Sequence, residues 1–200
     1  MIDVKNIEVF NIDSAMRGMR NPMNSHGYSD TKNNIIGPND LGLAQRLIIS
    51  GPDHAKFLRM IFVSMDITAP WYWYKEHDTY KIGTTSNSAS SMHKILSKPI
   101  VLEDFSIDDA TNPLIGMLMS YLENQRLKSI ATKNKDDWKH LIQMLPSSFN
   151  QLRTWTANYN VLRNIYFARK NHKLQEWRDF CKVIETLPYA EELICYVKEG

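Results

Sequence analysis

Cysteine is nearly missing from this chain: only Cys181 and Cys195 occur among 200 residues, and they lack CxxC spacing. That removes the case for a disulfide framework or a cysteine-based zinc site, and it leads to the expectation of no metal and a reducing cytoplasm. Glycine is scarce too, with eight residues, and no P-loop, GxGxxG, GxSxG or HExxH occurs. Several large enzyme classes lose support on that ground. Nowhere do 18 apolar residues follow one another, and Met1-Ile2-Asp3-Val4-Lys5 lacks the basic flank and apolar run of a signal peptide. Membrane insertion is therefore not expected. An excess of one charge is also lacking, because the formal net charge is +2, which gives no reason to expect DNA or RNA as a partner.

What is present describes an ordinary globular protein, 43% hydrophobic and 23% charged. The length suits one substantial core, so a single domain over residues 1–200 is expected. Charge is uneven, however. Residues 153–182 hold seven Lys or Arg against Glu176 and Asp179. Without a long basic run, that suits a small anionic ligand at least as well as a polynucleotide.

Apolar and β-branched patterning predicts a first strand over residues 2–11, irregular in its middle, and a second from Phe57 to Thr68 that ends at Ala69-Pro70. Asn, Gly, Ser and Pro enrichment from Met16 to Asp40 predicts a long loop, with Asp40 as N-cap of a helix closed by Gly51-Pro52. Trp71 to Lys81 is too aromatic for a surface helix, and the Thr/Ser/Asn run Gly83 to Ser91 reads as an irregular segment. Helices are expected from Pro113 to Ala131, Asp136 to Leu145 and Leu174 to Leu187. Strands early and helices late indicate α+β.

The stretch from Trp155 to Gln175 carries the most specific pattern. Read as a helix, Asn158, Leu162, Ile165 and Arg169 share one stripe with Asn164 just beside it. The opposite stripe, Leu152, Trp155, Tyr159, Tyr166 and Phe167, reads as the buried face. Asn pairs a donor with an acceptor, which matches a base edge or ribose, and Arg offers a fork that matches phosphate or a pyrimidine carbonyl. An amphipathic helix with a solvated polar face fits the same pattern.

With these residues placed, the chain resembles the flavin-dependent thymidylate synthase family as a divergent member. The resemblance rests on Trp155-Thr156-Ala157-Asn158, Leu162-Arg163-Asn164, Arg169 and Gln175, on Leu145-Pro146 upstream, on Ala69-Pro70, and on Gly51 followed by His54. It extends over most of residues 14–185. It implies an antiparallel sheet packed with helices, a mainly helical C-terminal half, and reductive methylation of dUMP at C5. It also implies FAD as cofactor, with NADPH and methylene-tetrahydrofolate as co-substrates, and a homotetramer with a pyrimidine nucleotide as substrate. The cofactor residues it implies are His54, Lys81, Ser86, Asn87, Asn158 and Asn164, and the substrate residues are Glu76, Ser88 and Arg169. No catalytic residue is assigned.

The family's arginine-rich signature falls on Thr79-Tyr80-Lys81, Thr84, Ser86-Asn87 and Ala89-Ser90-Ser91-Met92. Only Lys81 remains as a cation, and it is a point charge where the family has a bidentate fork. Ala89 stands at the family's active-site serine, and Ser91 and Ile142 stand at substrate-binding arginines. Replacement donors are Thr84 to Ser88 with their backbone N–H groups, and Arg17, Arg20, Lys75 and Lys94 for charge. The alternative is a non-catalytic nucleotide binder of the same fold without flavin chemistry.

Overall fold

A computed structural model of the chain describes residues 2–198. Its strands β1 (Asp3–Phe10), β2 (Phe62–Pro70), β3 (Thr85–Ser88) and β4 (Asn150–Asn158) form one sheet in the order β1-β2-β4-β3. Thr156 Oγ1 donates to Ser64 Oγ at 3.2 Å and Thr154 Oγ1 to Asp66 at 2.6 Å. A step forward along β4 is thus a step back along β2, which makes the pair antiparallel. On β2, Val63, Met65, Ile67 and Ala69 are buried while Phe62, Ser64, Asp66 and Thr68 are not. β2 therefore has one covered and one open face.

The helices are α1 (Ile12–Met19), α2 (Pro38–Ile49), α3 (Trp71–His77), α4 (Ser91–Lys94), α5 (Pro113–Thr132), α6 (Lys135–Met144), α7 (Tyr159–Arg169) and α8 (Gln175–Glu185). The expected α+β class and helical C-terminal half are both observed. Among the described residues no helix is long and apolar enough to cross a membrane.

The chain divides into two compact units. One is built mainly from Ile67–Thr79 and Asn87–Arg153. Its α5 and α6 begin at Asn112 and Asn134, whose side chains accept from Leu114 N at 3.0 Å and Asp136 N at 2.9 Å. The two helices pack as a hairpin around Leu122 and Leu141, with Ile95, Ile100, Phe105 and Leu145 completing the core. The other unit holds Val4–Asp66, Tyr80–Ser86 and the chain from Thr154 onward. Trp155, Tyr159, Leu162, Ile165, Trp177 and Phe180 fill its interior.

The segment expected as a long loop from Met16 to Asp40 contains the second half of α1, short turns at Asn21–Met23 and His26–Tyr28, and the start of α2. Asp40 does not cap α2. Gly37 does, with Pro38 at the first helical position. The Asp40 carboxylate is fully buried and receives Arg20 Nε at 2.5 Å, Thr31 Oγ1 at 2.6 Å and Ser29 Oγ at 2.9 Å. Burial pushes that carboxyl up, but the bonds from Thr31, Arg20, Ser29 and Asp30 outweigh it and hold it below the ordinary carboxylate range. The second strand starts later than expected because Ala55–Arg59 forms a tight helical turn. The Thr/Ser/Asn run is not irregular throughout. Thr85–Ser88 pairs as the edge strand β3, exposed along its whole length. The irregularity expected within β1 is present: Asn6 has φ 51° and reaches Asp66 through Nδ2 at 2.8 Å.

Candidate functional site

The stretch Trp155 to Gln175 is not one helix. Residues up to Asn158 continue β4, and Asn158 is extended, with φ −125° and ψ 166°. Its Oδ1 accepts from Val161 N at 3.1 Å, so this buried amide starts α7 as its N-cap. The expected faces are also reversed in part. Leu162 and Ile165 are fully buried, whereas Leu152 and Phe167 are exposed. Asn164 lies on the exposed side of α7.

Asn158 also fixes the neighbouring segment. Gly83 has φ 77°, and a Cβ there would come within 2.8 Å of Asn158 Nδ2 and 3.5 Å of Val161. Only glycine fits both the conformation and the approach. Tyr80–Ser86 thus lies against the start of α7, and Thr84 Oγ1 donates to Tyr80 O at 2.7 Å. At the other end of α7, Arg169 Nε donates to the Tyr80 hydroxyl at 2.9 Å, and its Cζ lies 4.8 Å over Trp177. The segment carrying Lys81 and Ser86, both exposed, therefore runs beside the helix carrying Asn164 and Arg169.

His54 precedes the turn Ala55–Arg59, which packs on both α1 and α7. It lines a cavity of about 490 Å³ whose walls include Met19, Met23, Leu47, Phe57 and Met60. That volume falls within the roughly 300–1,000 Å³ of small-molecule sites, and Ser25, Asp53 and Lys56 join His54 in adding polar groups to the apolar walls. Thioethers adapt to a planar ring face.

In the other unit, Glu76 on α3 is half-buried, and its backbone oxygen accepts from Thr79 N and Oγ1. Beside it His77 is buried and stacks on Trp73 at 4.6 Å. Burial pushes its imidazole down to about 4, against an opposing pull from Asp78 and with a smaller push from Arg153. Asn87 and Ser88 are exposed on β3. Ser90 caps α4, accepting from His93 N at 3.2 Å. A cavity of about 170 Å³ follows, lined by Ala89, Ser91, Lys94, Lys98, Ile100 and Gln151 among others. Its Lys98 is paired with Asp104 at 2.5 Å. Ile142 packs into the apolar core, so its position offers no polar group. Of the replacement cations, Arg20 is withdrawn by its buried pair with Asp40, and Arg17 donates to Ser14 at 3.3 Å. Cys181 is buried, with its thiol pushed up to about 12 chiefly by burial, which disqualifies it as a nucleophile.

No family model and no curated protein matches the chain. Solved structures do match. Thymidylate Synthase X from Helicobacter pylori with FAD and dUMP superposes with TM-score 0.77 at 20% identity, covering 97% of this chain and 97% of that one. A second structure of the flavin-dependent enzyme from Helicobacter pylori, complexed with FAD and dUMP, gives TM-score 0.75 at 19% identity over 95% and 98% of the two chains. This chain has the fold of those thymidylate synthases. At such identity the shared feature is the path of the backbone, and the chemistry must be argued from the side chains.

Sequence reasoning missed two features here. Tyr80 and Trp177 brace Arg169, and the pairing of Tyr80 with a residue 89 positions away leaves no local pattern. The methionine-lined cavity was signalled only by methionine at positions 19, 23 and 60, which is unremarkable along the chain.

Proposed function

We propose that the protein is a flavin-dependent thymidylate synthase-like enzyme that methylates dUMP at C5, with FAD bound and methylene-tetrahydrofolate and NADPH as co-substrates. The observation that carries this reading is the fold likeness over 97% of the chain to an enzyme solved with FAD and dUMP. In this reading the protein is a cytoplasmic homotetramer of single-domain chains.

The donor set fits the cofactor in part. The cavity beside His54 has apolar walls suited to a planar ring, and Asn164, Lys81 and Ser86 present polar groups at exposed positions. Asn158 Oδ1 is already used as a helix cap, so Asn158 contributes by setting where α7 and Tyr80–Ser86 lie. Bound flavin supplies the hydride chemistry. The chain's own residues bind and orient: in one unit Lys81 and Ser86 take phosphate oxygens and Arg169 directs a planar fork at the nucleotide, and in the other unit Asn87 is assigned to the cofactor and Glu76 and Ser88 to the substrate. The test is tritium release from C5-labelled dUMP with methylene-tetrahydrofolate and NADPH present. Release supports the assignment, and its absence from a flavin-loaded preparation overturns it.

A second reading, a nucleotide binder of the same fold without flavin chemistry, is favoured by Ala89, Ser91 and Ile142 at positions where the family has serine and arginines. A colourless protein that binds dUMP and resists reconstitution with FAD supports it. A yellow protein opposes it.

A further inference from the structure

Arg169 is held more firmly than an arginine near a helix end requires. Its Nε–H donates to the Tyr80 hydroxyl at 2.9 Å. Its Cζ stands 4.8 Å from the centre of the fully buried Trp177 ring and 5.7 Å from that of Tyr80, and the two rings meet edge to face at 6.1 Å. Trp177 gives the cation a fixed aromatic face, and the phenol oxygen takes the stem-side donor, so together they set the plane of the fork. Tyr80 itself is not on a swinging loop. Thr84 Oγ1 closes back on its carbonyl, and Gly83 is seated against Asn158.

We propose that Tyr80 is a positioning residue: it holds the Arg169 guanidinium in the orientation that receives the nucleotide, acting through Arg169 without touching the ligand itself. The inference rests on the assignment of Arg169 to the nucleotide made above. A flexible arginine must be ordered when its ligand binds, and a bracing contact made beforehand removes that cost from the affinity.

The experiment titrates the full-length protein with dUMP by calorimetry, comparing wild type with Arg169→Ala, Tyr80→Phe and Tyr80→His. Tyr80→Phe keeps the ring and removes only the acceptor, and it is expected to weaken dUMP binding about tenfold, with the urea midpoint lowered only by the loss of one hydrogen bond. The Arg169 Nε–H resonance, identified by its loss in Arg169→Ala, should exchange faster with water in Tyr80→Phe. Tyr80→His gives a readout that a merely structural role would not move. The imidazole is shorter than the phenol and reaches Arg169 through a bridging water, from which it can accept when neutral and not when protonated, so affinity taken relative to wild type at each pH should be higher above pH 7 than below pH 6. Should Tyr80→Phe fail to fold, this pH profile decides by itself. If Tyr80→Phe binds dUMP like wild type while Arg169→Ala does not, or if Tyr80→His shows wild-type pH dependence, the positioning role is overturned and the assignment of Arg169 stands. If Arg169→Ala itself binds dUMP normally, or wild type does not bind it, the underlying assignment is overturned and the positioning role with it.

Discussion

Two polar stretches of this chain use their hydrogen-bonding groups in opposite ways. Along α7 and α8, Asn158 is buried as a cap, Arg169 is braced by Tyr80 and Trp177, and Trp155 and Phe180 meet edge to face at 6.1 Å behind them. Along β3, Thr85 to Ser88 are all exposed on an edge strand. The same residue types, amides and hydroxyls, thus determine geometry in one place and face solvent in the other. Burial makes the difference, because an unsatisfied polar group is costly inside and nearly free outside.

The sharpest way to break this contrast is to empty the wall. Trp155 is 2% exposed, and Trp155→Ala should cost about 3–5 kcal/mol as a large core truncation, read as a shift in the urea unfolding midpoint. A cost comparable to a surface change would mean that the wall is not load-carrying and that the comparison fails.

The next effect lies at the N-terminal border of the exposed stretch. His77 is 3% exposed and its folded-state imidazole is depressed to about 4. Above pH 6.5 it is neutral folded and unfolded alike, so no stability depends on it there. As pH falls from 6.5 to 4 the unfolded chain takes up a proton that the folded chain refuses, and stability should drop by about 3 kcal/mol before levelling off. Asp78, 4.0 Å away, opposes the shift, and Arg153, paired with Asp78 at 2.6 Å, adds to it. Denaturant midpoints between pH 4 and 7 for wild type and His77→Phe measure this, and the variant should lose most of the slope.

Gly83→Ala places a side chain at positive φ and within 2.8 Å of Asn158 Nδ2, for an expected cost of about 1–3 kcal/mol. Asn158→Ala removes a buried cap and should cost about 1–2 kcal/mol. The two share one contact, so the double variant should cost less than the separate changes combined. Strict additivity in the urea midpoints would show that Gly83 and Asn158 do not touch. Gly27→Ala, with open space around it, serves as the control.

How far the sequence could be read follows the same division. The helices Pro113–Thr132 and Lys135–Met144 and the strand ending at Pro70 were legible because local signals mark their ends: Asn caps, Pro at a first turn and β-branched runs. The order of motifs from His54 to Gln175 also pointed to the fold that the structure shows. The path from Met16 to Asp40 was not legible. Its Asn, Gly and Pro content signals irregularity, while the turns there are organised by Asp40, whose partners Arg20, Ser29 and Thr31 lie 9–20 residues away. The strand–helix break at Asn158 was missed because Trp155 to Arg169 satisfies a helical period throughout, and only the capping geometry of Asn158 separates the two elements.

The smallest expected effects fall on β3, and they bear most directly on function. Ser86 and Asn87 are exposed, so Ser86→Ala and Asn87→Ala should change stability by no more than about 0.5 kcal/mol. If these side chains donate to the phosphates of a bound cofactor, each loss should weaken FAD retention about fivefold, measured as flavin released on dilution. The wall predicts the reverse ratio, a large stability cost for a change such as Trp155→Ala. A chain in which both β3 variants retain FAD like wild type would leave β3 a solvated edge strand, blunted by its hydroxyls against pairing with another chain, and would move the weight of cofactor binding to the cavity beside His54.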